Sequence, residues 1–166
     1  MMYYRPRIKR KSAVIRNLVS ETRVDARDFL CPLFIVEGSN VKEEIPSMPN
    51  YFRYSLDRIQ EQIDTYLSYG LKAFLLFVKV RDELKDNTGQ EAWNPDGLMQ
   101  KSIRTIKERY PEVLLMSDVA LDPYSSYGHD GIVKEEEIVN DETVEALVKM
   151  ALSHVESGVD WVAPSD

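Results

Sequence analysis

The chain contains four apolar segments, and each has the length of a β-strand. They occupy residues 29–36, 73–78, 113–121 and 159–166. The first two are nearly continuous apolar runs, a pattern typical of strands that are covered on both faces, as in a parallel sheet. The hydrophobic pattern therefore predicts four strands, the last of them at the end of the sequence.

Helical periodicity fills the gaps between these strands. A first helix is predicted from an N-cap at Ser55 to a stop at Gly70, with apolar residues at three- and four-residue spacing. A second follows the turn signal Asn94–Gly97 and runs to Tyr110. Each helix therefore links two successive strands.

The third predicted helix begins at Asn140 or Asp141 and stops at Gly158. His154 is interpreted as a residue of its surface. The pattern places Val144, Leu147, Val148, Ala151 and Val155 on one apolar face of this helix.

Alternation of strands and helices at this spacing indicates right-handed βαβ units and an α/β fold with a parallel sheet. Four strands do not close a barrel, and a small open sheet would leave the last strand uncovered. We therefore predict the N-terminal half of a TIM (β/α)8 barrel. Residues 1–26 form an N-terminal arm that contacts other subunits, and residues 27–166 form the half barrel, which ends after its fourth strand.

The cysteine content and the length of the apolar runs indicate the cellular compartment of the protein. The 166 residues contain a single cysteine, Cys31, so an intrachain disulfide and a thiolate zinc cluster are both excluded. Cys31 lies in the first apolar run and is interpreted as a small buried hydrophobic residue. No apolar run approaches the ~20 residues that span a bilayer, and no signal peptide is recognised. These features favour a cytoplasmic protein that is not embedded in a membrane.

Charge is distributed unevenly along the chain. Residues 1–23 contain seven basic residues and one glutamate, a balance of +6, so the net charge of −7 leaves −13 for the remainder. A basic arm suits nucleic acid, an anionic membrane or an acidic neighbouring subunit. Because the acidic body would repel phosphate backbones, we favour contact between subunits and predict neither a nucleic-acid nor a membrane partner.

The segment Asp118–Gly131 carries the strongest chemical signal. Three acids, a histidine and two tyrosines fall within it, and it begins directly after the apolar run of residues 113–117. Functional groups of α/β proteins commonly lie at the carboxyl ends of strands. A polar loop that only caps a strand is the alternative.

The order of these motifs resembles the porphobilinogen synthase (5-aminolevulinate dehydratase) family over the whole chain. The matching segments are Arg5–Arg10, Leu18–Arg23, Pro32–Gly38, Ile45–Pro49, Leu84–Asp86 with Gly89, Asn94–Gly97, Asp118–Gly131, Asn140–Thr143 and Ala163–Asp166. Members of the family are about twice this length and form a complete barrel with an N-terminal arm. The resemblance therefore agrees with the half-barrel prediction.

The resemblance implies that the protein is a lyase. The family condenses two molecules of 5-aminolevulinate, with loss of water, to porphobilinogen in tetrapyrrole (heme) biosynthesis, and the full-length protein would be a homo-octamer. Asp118 carries over as a catalytic residue and Ser165 as a substrate-binding residue, with Asp166 in a supporting position. The two lysines that form Schiff bases with substrate belong to the second half of the barrel, so the chain as written is predicted to be inactive.

The resemblance also bears on metals. Zinc-dependent members have three cysteines at the positions of Ala120, Asp122 and Asp130, and carboxylates suit magnesium better than zinc. Asp122 and Asp130 are therefore candidate ligands for magnesium, with a solvated carboxylate pair as the alternative. His129 matches the family, whereas Tyr127 replaces a histidine that is common there.

Two other functions remain open. Lys79 ends the second strand, where a desolvated lysine can act as an amine nucleophile, so another Schiff-base lyase of barrel fold is one alternative. A solvated lysine at the barrel rim is the interpretation that we prefer. The second alternative is a truncated, non-catalytic product whose only activity is assembly through its arm.

Overall fold

The computed structural model describes residues 6–165, so Arg5 and Asp166 lie outside the described part of the chain. Its strands are β1 (Leu30–Val36), β2 (Lys42–Glu44), β3 (Phe52–Tyr54), β4 (Ala73–Lys79), β5 (Leu114–Val119), β6 (Val133–Lys134), β7 (Glu137–Ile138) and β8 (Trp161–Pro164). Its α-helices are α1 (Ala13–Leu18), α2 (Ile59–Ser68), α3 (Leu98–Arg109) and α4 (Asn140–Glu156). Short 3-10 helices occupy Pro6–Arg10, Ala26–Asp28, Asp82–Leu84 and Gln90–Trp93.

The four strands predicted from the apolar segments are confirmed, and they lie side by side. The main sheet has the order β2-β3-β1-β4-β5-β8, and the pairs β1–β4, β4–β5 and β5–β8 are parallel. With α2, α3 and α4 as crossovers, these four strands form the first half of a (β/α)8 barrel. β2 and β3 are additions that the hydrophobic pattern does not predict.

One face of the sheet is covered by helices and the other is open among the described residues. Burial alternates along the strands, as the two-residue period of a strand requires. The buried positions that face the helices are Leu33, Ile35, Phe74, Leu76, Val78, Leu115, Ser117 and Val119. The residues between them, including Phe34, Phe77 and Asp118, point to the open face, which corresponds to the barrel interior.

The apolar face predicted for α4 is only partly the face that packs on the core. Leu147 and Ala151 are partly buried and pack against the core, whereas Val144, Val148 and Val155 are about half exposed. The fully buried stripe of the helix consists of Thr143, Ala146, Met150 and His154. Apolar residues cover more than one side of α4, so the sequence pattern alone could not identify the side that faces the sheet.

His154 is therefore a buried residue, which corrects its interpretation as a surface residue. Its Nδ1 shares a hydrogen bond of 2.9 Å with Oγ of Ser117 on β5, and its side chain is inaccessible to solvent. This partner satisfies one of the two ring nitrogens, which reduces the free-energy cost of burying the imidazole.

Two smaller predictions also need correction. Helix α2 begins at Ile59, not at Ser55, because the Ser55 hydroxyl accepts a hydrogen bond of 2.8 Å from the backbone N–H of Val41 and closes a loop instead. Cys31 is only partly buried. Burial still raises the pKa of its thiol, which favours the protonated form.

The buried imidazole predicts a pH-dependent stability. Burial lowers the pKa of His154 to about 4, whereas an unfolded chain binds the proton near 6.5. The contribution of His154 to the free energy of unfolding is therefore at its full value above pH 6.5. It falls by roughly 3 kcal/mol as the pH drops towards 4. Urea unfolding across this range should show the loss, and His154→Gln should flatten it. The exposed His129 provides the matched control, because His129→Gln should leave the wild-type slope unchanged.

Candidate active site at the carboxyl ends of the strands

Asp118 and Ser165 meet at the carboxyl ends of two neighbouring strands. Asp118 is in β5 and pairs with Ala163 of β8, two residues before Ser165. The backbone N–H of Ser165 bonds to the carbonyl of Val119, and its hydroxyl donates to Oδ1 of Asp118 at 2.9 Å. The structure thus joins the two residues that the sequence identifies as active-site candidates.

The environment of Asp118 favours a carboxyl group that exchanges protons. The side chain is half-buried on the open face of the sheet. Loss of solvent raises the pKa of Asp118, although hydrogen bonds from Ser165 and from the backbone of Val119 oppose the shift. A carboxyl whose pKa lies above its usual range is better suited to accept and return a proton.

A cavity of about 290 Å³ opens beside Asp118. Its walls bring together two acids, three bases and an aromatic pair, and the lining residues are Phe34, Ile35, Arg53, Phe77, Val78, Lys79, Lys85, Asp118, Asp122 and Pro123. The rings of Phe34 and Phe77 stack with their centroids 5.3 Å apart. The cavity therefore offers charges of both signs above an apolar floor, the features of a small-molecule site.

The loop after Asp118 is held by a second loop that sequence reasoning did not connect with it. The backbone N–H of Asp86 bonds to the carbonyl of Tyr124, and the N–H of Ser126 bonds to the carbonyl of Asp86. Gly89 adopts a φ of 67°, and a Cβ there would approach Leu121 to 2.9 Å. The family-like segment around Asp86 and Gly89 thus positions the loop.

Tyr124 is a further residue that the sequence did not single out. It is fully buried, and its hydroxyl has no hydrogen-bond partner among residues 6–165. Burial raises its pKa far above the usual range, and the charge of Asp118 adds to the shift. The hydroxyl therefore stays protonated, and it lies close enough to Asp118 for that carboxylate to raise its pKa.

The candidate metal ligands do not form a cluster in the described part of the chain. Asp122 and Asp130 are both exposed, as are Tyr127 and His129. No group of three or more His, Cys, Asp or Glu side chains suited to a metal ion occurs within residues 6–165. A magnesium site at Asp122 and Asp130 therefore remains a prediction.

The parallel strands and crossover helices place the protein in the class of (β/α)8-barrel folds. Residues 3–166 match the family described as Delta-aminolevulinic acid dehydratase, and the chain belongs to this family. The family resemblance seen in the sequence is thereby confirmed.

Individual relatives agree. The chain is 46% identical to a delta-aminolevulinic acid dehydratase of Chlamydia pneumoniae, over 98% of this chain and 49% of the relative. Identity is 44% with that of Methanothermus sociabilis, over 99% and 50%. The crystal structure of the Toxoplasma gondii ME49 enzyme, solved in complex with the reaction product porphobilinogen, superposes with a TM-score of 0.94 at 46% identity, covering 99% of this chain and 47% of that one. The chain thus spans about half the length of these relatives.

Proposed function

We propose that the full-length protein containing these residues is a porphobilinogen synthase, a lyase that condenses two molecules of 5-aminolevulinate to porphobilinogen in heme biosynthesis. The observation that carries the proposal is the contact between Asp118 and Ser165 at the rim of a half barrel that belongs to this family. In this function Asp118 holds and returns protons, and the Ser165 hydroxyl binds substrate. By the same resemblance, the lysines that form Schiff bases lie in the second half of the barrel.

A direct assay tests this proposal. The full-length protein, incubated with 5-aminolevulinate, should produce a pyrrole that gives a coloured adduct with an acidic aromatic aldehyde reagent. Mass spectrometry should identify this product as two substrate molecules less two waters. A folded full-length protein that forms no pyrrole would exclude the synthase and leave the two alternatives, another Schiff-base lyase or a non-catalytic assembly protein.

The donor chemistry of the loop supports a zinc-independent enzyme. Asp122 and Asp130 offer hard carboxylate oxygens, which suit magnesium, and bound magnesium would supply positive charge that orders the exposed loop. We expect the full-length protein to keep its activity after treatment with a zinc-selective chelator. Elemental analysis showing stoichiometric zinc, together with loss of activity on chelation, would contradict this prediction.

The arm is proposed to hold subunits together in a homo-octamer. None of the residues in the 3-10 helix Pro6–Arg10 or in α1 is buried, and Ile8, Val14 and Leu18 are largely exposed on a basic segment. Exposed apolar side chains beside positive charge suit the acidic surface of a neighbouring subunit. Deleting residues 1–23 should therefore reduce the mass measured by light scattering. An unchanged mass would show that the arm has no role in assembly.

We propose neither a membrane nor a nucleic acid as a partner of this protein. Within residues 6–165, no helix is long and apolar enough to cross a membrane. The acidic body disfavours nucleic acid as a partner, and a cytoplasmic location suits the single, unpaired cysteine.

A further inference from the structure

The side chain of Asn87 fixes the far end of the β5–β6 loop, which comprises residues 120–132. Its Nδ2 donates a hydrogen bond of 2.8 Å to the backbone carbonyl of Val133, and its Oδ1 accepts one of 3.0 Å from the backbone N–H of the same residue. A carboxamide that exchanges both bonds with one residue takes the place of a paired strand. The contact is partly buried and joins segments 46 residues apart in the sequence.

The residue before Asn87 holds the near part of the same loop. The backbone N–H of Asp86 bonds to the carbonyl of Tyr124, and its carbonyl accepts a hydrogen bond from the N–H of Ser126. Residues 86 and 87 therefore fix the β5–β6 loop at two places, on either side of the exposed residues 127–130.

The segment that presents Asn87 is itself held in one conformation. The carboxylate of Asp86 accepts hydrogen bonds from the backbone N–H and hydroxyl of Thr88, both at 2.6 Å, and from the N–H of Gly89 at 2.8 Å. Burial opposes the shift, but these hydrogen bonds lower the pKa of Asp86, so the carboxylate stays charged and keeps all three. Asn87 therefore loses little conformational freedom when it binds Val133.

The loop that is fixed in this way forms part of the cavity beside Asp118. Asp122 and Pro123 of the loop line that cavity, and so does Lys85, the residue that precedes the segment of Asn87. The relative positions of these lining residues therefore depend on the contacts that join the two segments.

We propose that Asn87 is a positioning residue of this site, which holds Asp122 and Pro123 in place in the cavity lining before the substrate binds. The inference rests on the proposed function, because the substrate concerned is 5-aminolevulinate. Asn87 acts through Val133 and makes no contact with the substrate. Without Asn87, part of the binding free energy of the substrate would be spent on ordering the loop, which weakens binding and leaves the chemical step unchanged.

Steady-state kinetics of the full-length protein distinguish this role from a merely structural one. Asn87→Leu has a similar volume and lacks both hydrogen bonds, so it should raise KM for 5-aminolevulinate roughly five- to twentyfold and change kcat by less than about twofold. Asn87→Asp keeps only the acceptor for the N–H of Val133 and should give a smaller rise. Gln60→Leu, which removes an amide from a partly buried position of α2, is the matched control and should leave KM unchanged.

Hydrogen exchange tests the contact independently of activity. In Asn87→Leu the amides of residues 124–133 should exchange about tenfold faster, whereas those of β4 should keep their wild-type rates, because only the loop is released. An unchanged KM in folded Asn87→Leu, with or without faster exchange, would overturn the inference, and Asn87→Asp decides in the same way if Asn87→Leu does not fold. A wild-type protein that makes no porphobilinogen would instead overturn the proposed function, whatever the exchange rates.

Discussion

Asp118→Asn is expected to lower kcat of the full-length protein by about 10²–10⁴-fold, the usual contribution of a positioned acid or base. The amide has the shape of the carboxylate and can still accept the hydrogen bond from Ser165, so the fold should be preserved. It cannot hold or return a proton. Steady-state kinetics with 5-aminolevulinate measure the effect, and circular dichroism checks that the variant is folded.

Ser165→Ala is the informative companion to this variant. The Ser165 hydroxyl lowers the pKa of Asp118, so its removal should shift any pH dependence that Asp118 contributes to higher pH. The loss of rate should be smaller than for Asp118→Asn, about tenfold. Activity of Asp118→Asn within tenfold of wild type would show that this carboxyl is not the proton-transfer group.

The second large effect concerns residues 1–166 on their own, which we expect to produce no porphobilinogen at all. By family resemblance the Schiff-base lysines lie beyond this segment, and without an imine Asp118 and Ser165 have no activated substrate to act upon. The measurement is incubation with 5-aminolevulinate and borohydride, followed by mass spectrometry to locate any reduced adduct. The full-length protein serves as the positive control.

One result would reverse this expectation. Lys79 lies at the site and carries an amine, so a specific borohydride-trapped adduct on Lys79, accompanied by pyrrole formation, would show that the half barrel is catalytic. It would also favour a different Schiff-base lyase and contradict the interpretation of Lys79 as a solvated lysine at the barrel rim. A trace adduct spread over several exposed lysines would carry no such meaning.

The parts of the fold that the sequence predicts are those with a strong local signal. Near-continuous apolar segments identify the long strands, because burial of both faces leaves no room for polar residues. β2 consists of three charged residues, Lys42–Glu44, and forms by antiparallel pairing with β3, so its own residues carry no apolar pattern that predicts a strand. The face of α4 that packs on the core and the burial of His154 could not be predicted either, because both depend on residues far along the chain.

Some residues of the candidate site could likewise be predicted from the sequence, and others could not. Asp118 and Ser165 can be chosen from strand ends and family resemblance, and the structure adds the hydrogen bond that links them. Arg53 could not be associated with the site, because it reaches the cavity only through the parallel pairing of β3 with β1. The orientation of Lys79 depends on the register of β4, which the apolar pattern leaves open by one residue.

The exposed valines of α4 and the outer edge of β8, which pairs with no further strand among residues 6–165, also have a consequence for synthesis in the cell. In a protein twice this length, these residues leave the ribosome first, and translation of the remainder takes roughly ten to thirty seconds at 5–20 residues per second. Val144, Val148 and Val155 are about half exposed in this half of the barrel, and Trp161 on β8 is 57% exposed. In such a full-length protein we expect the first half of the nascent chain to expose apolar surface and the edge of β8 during this interval, and pairing of a later strand with that edge would remove a site of aggregation.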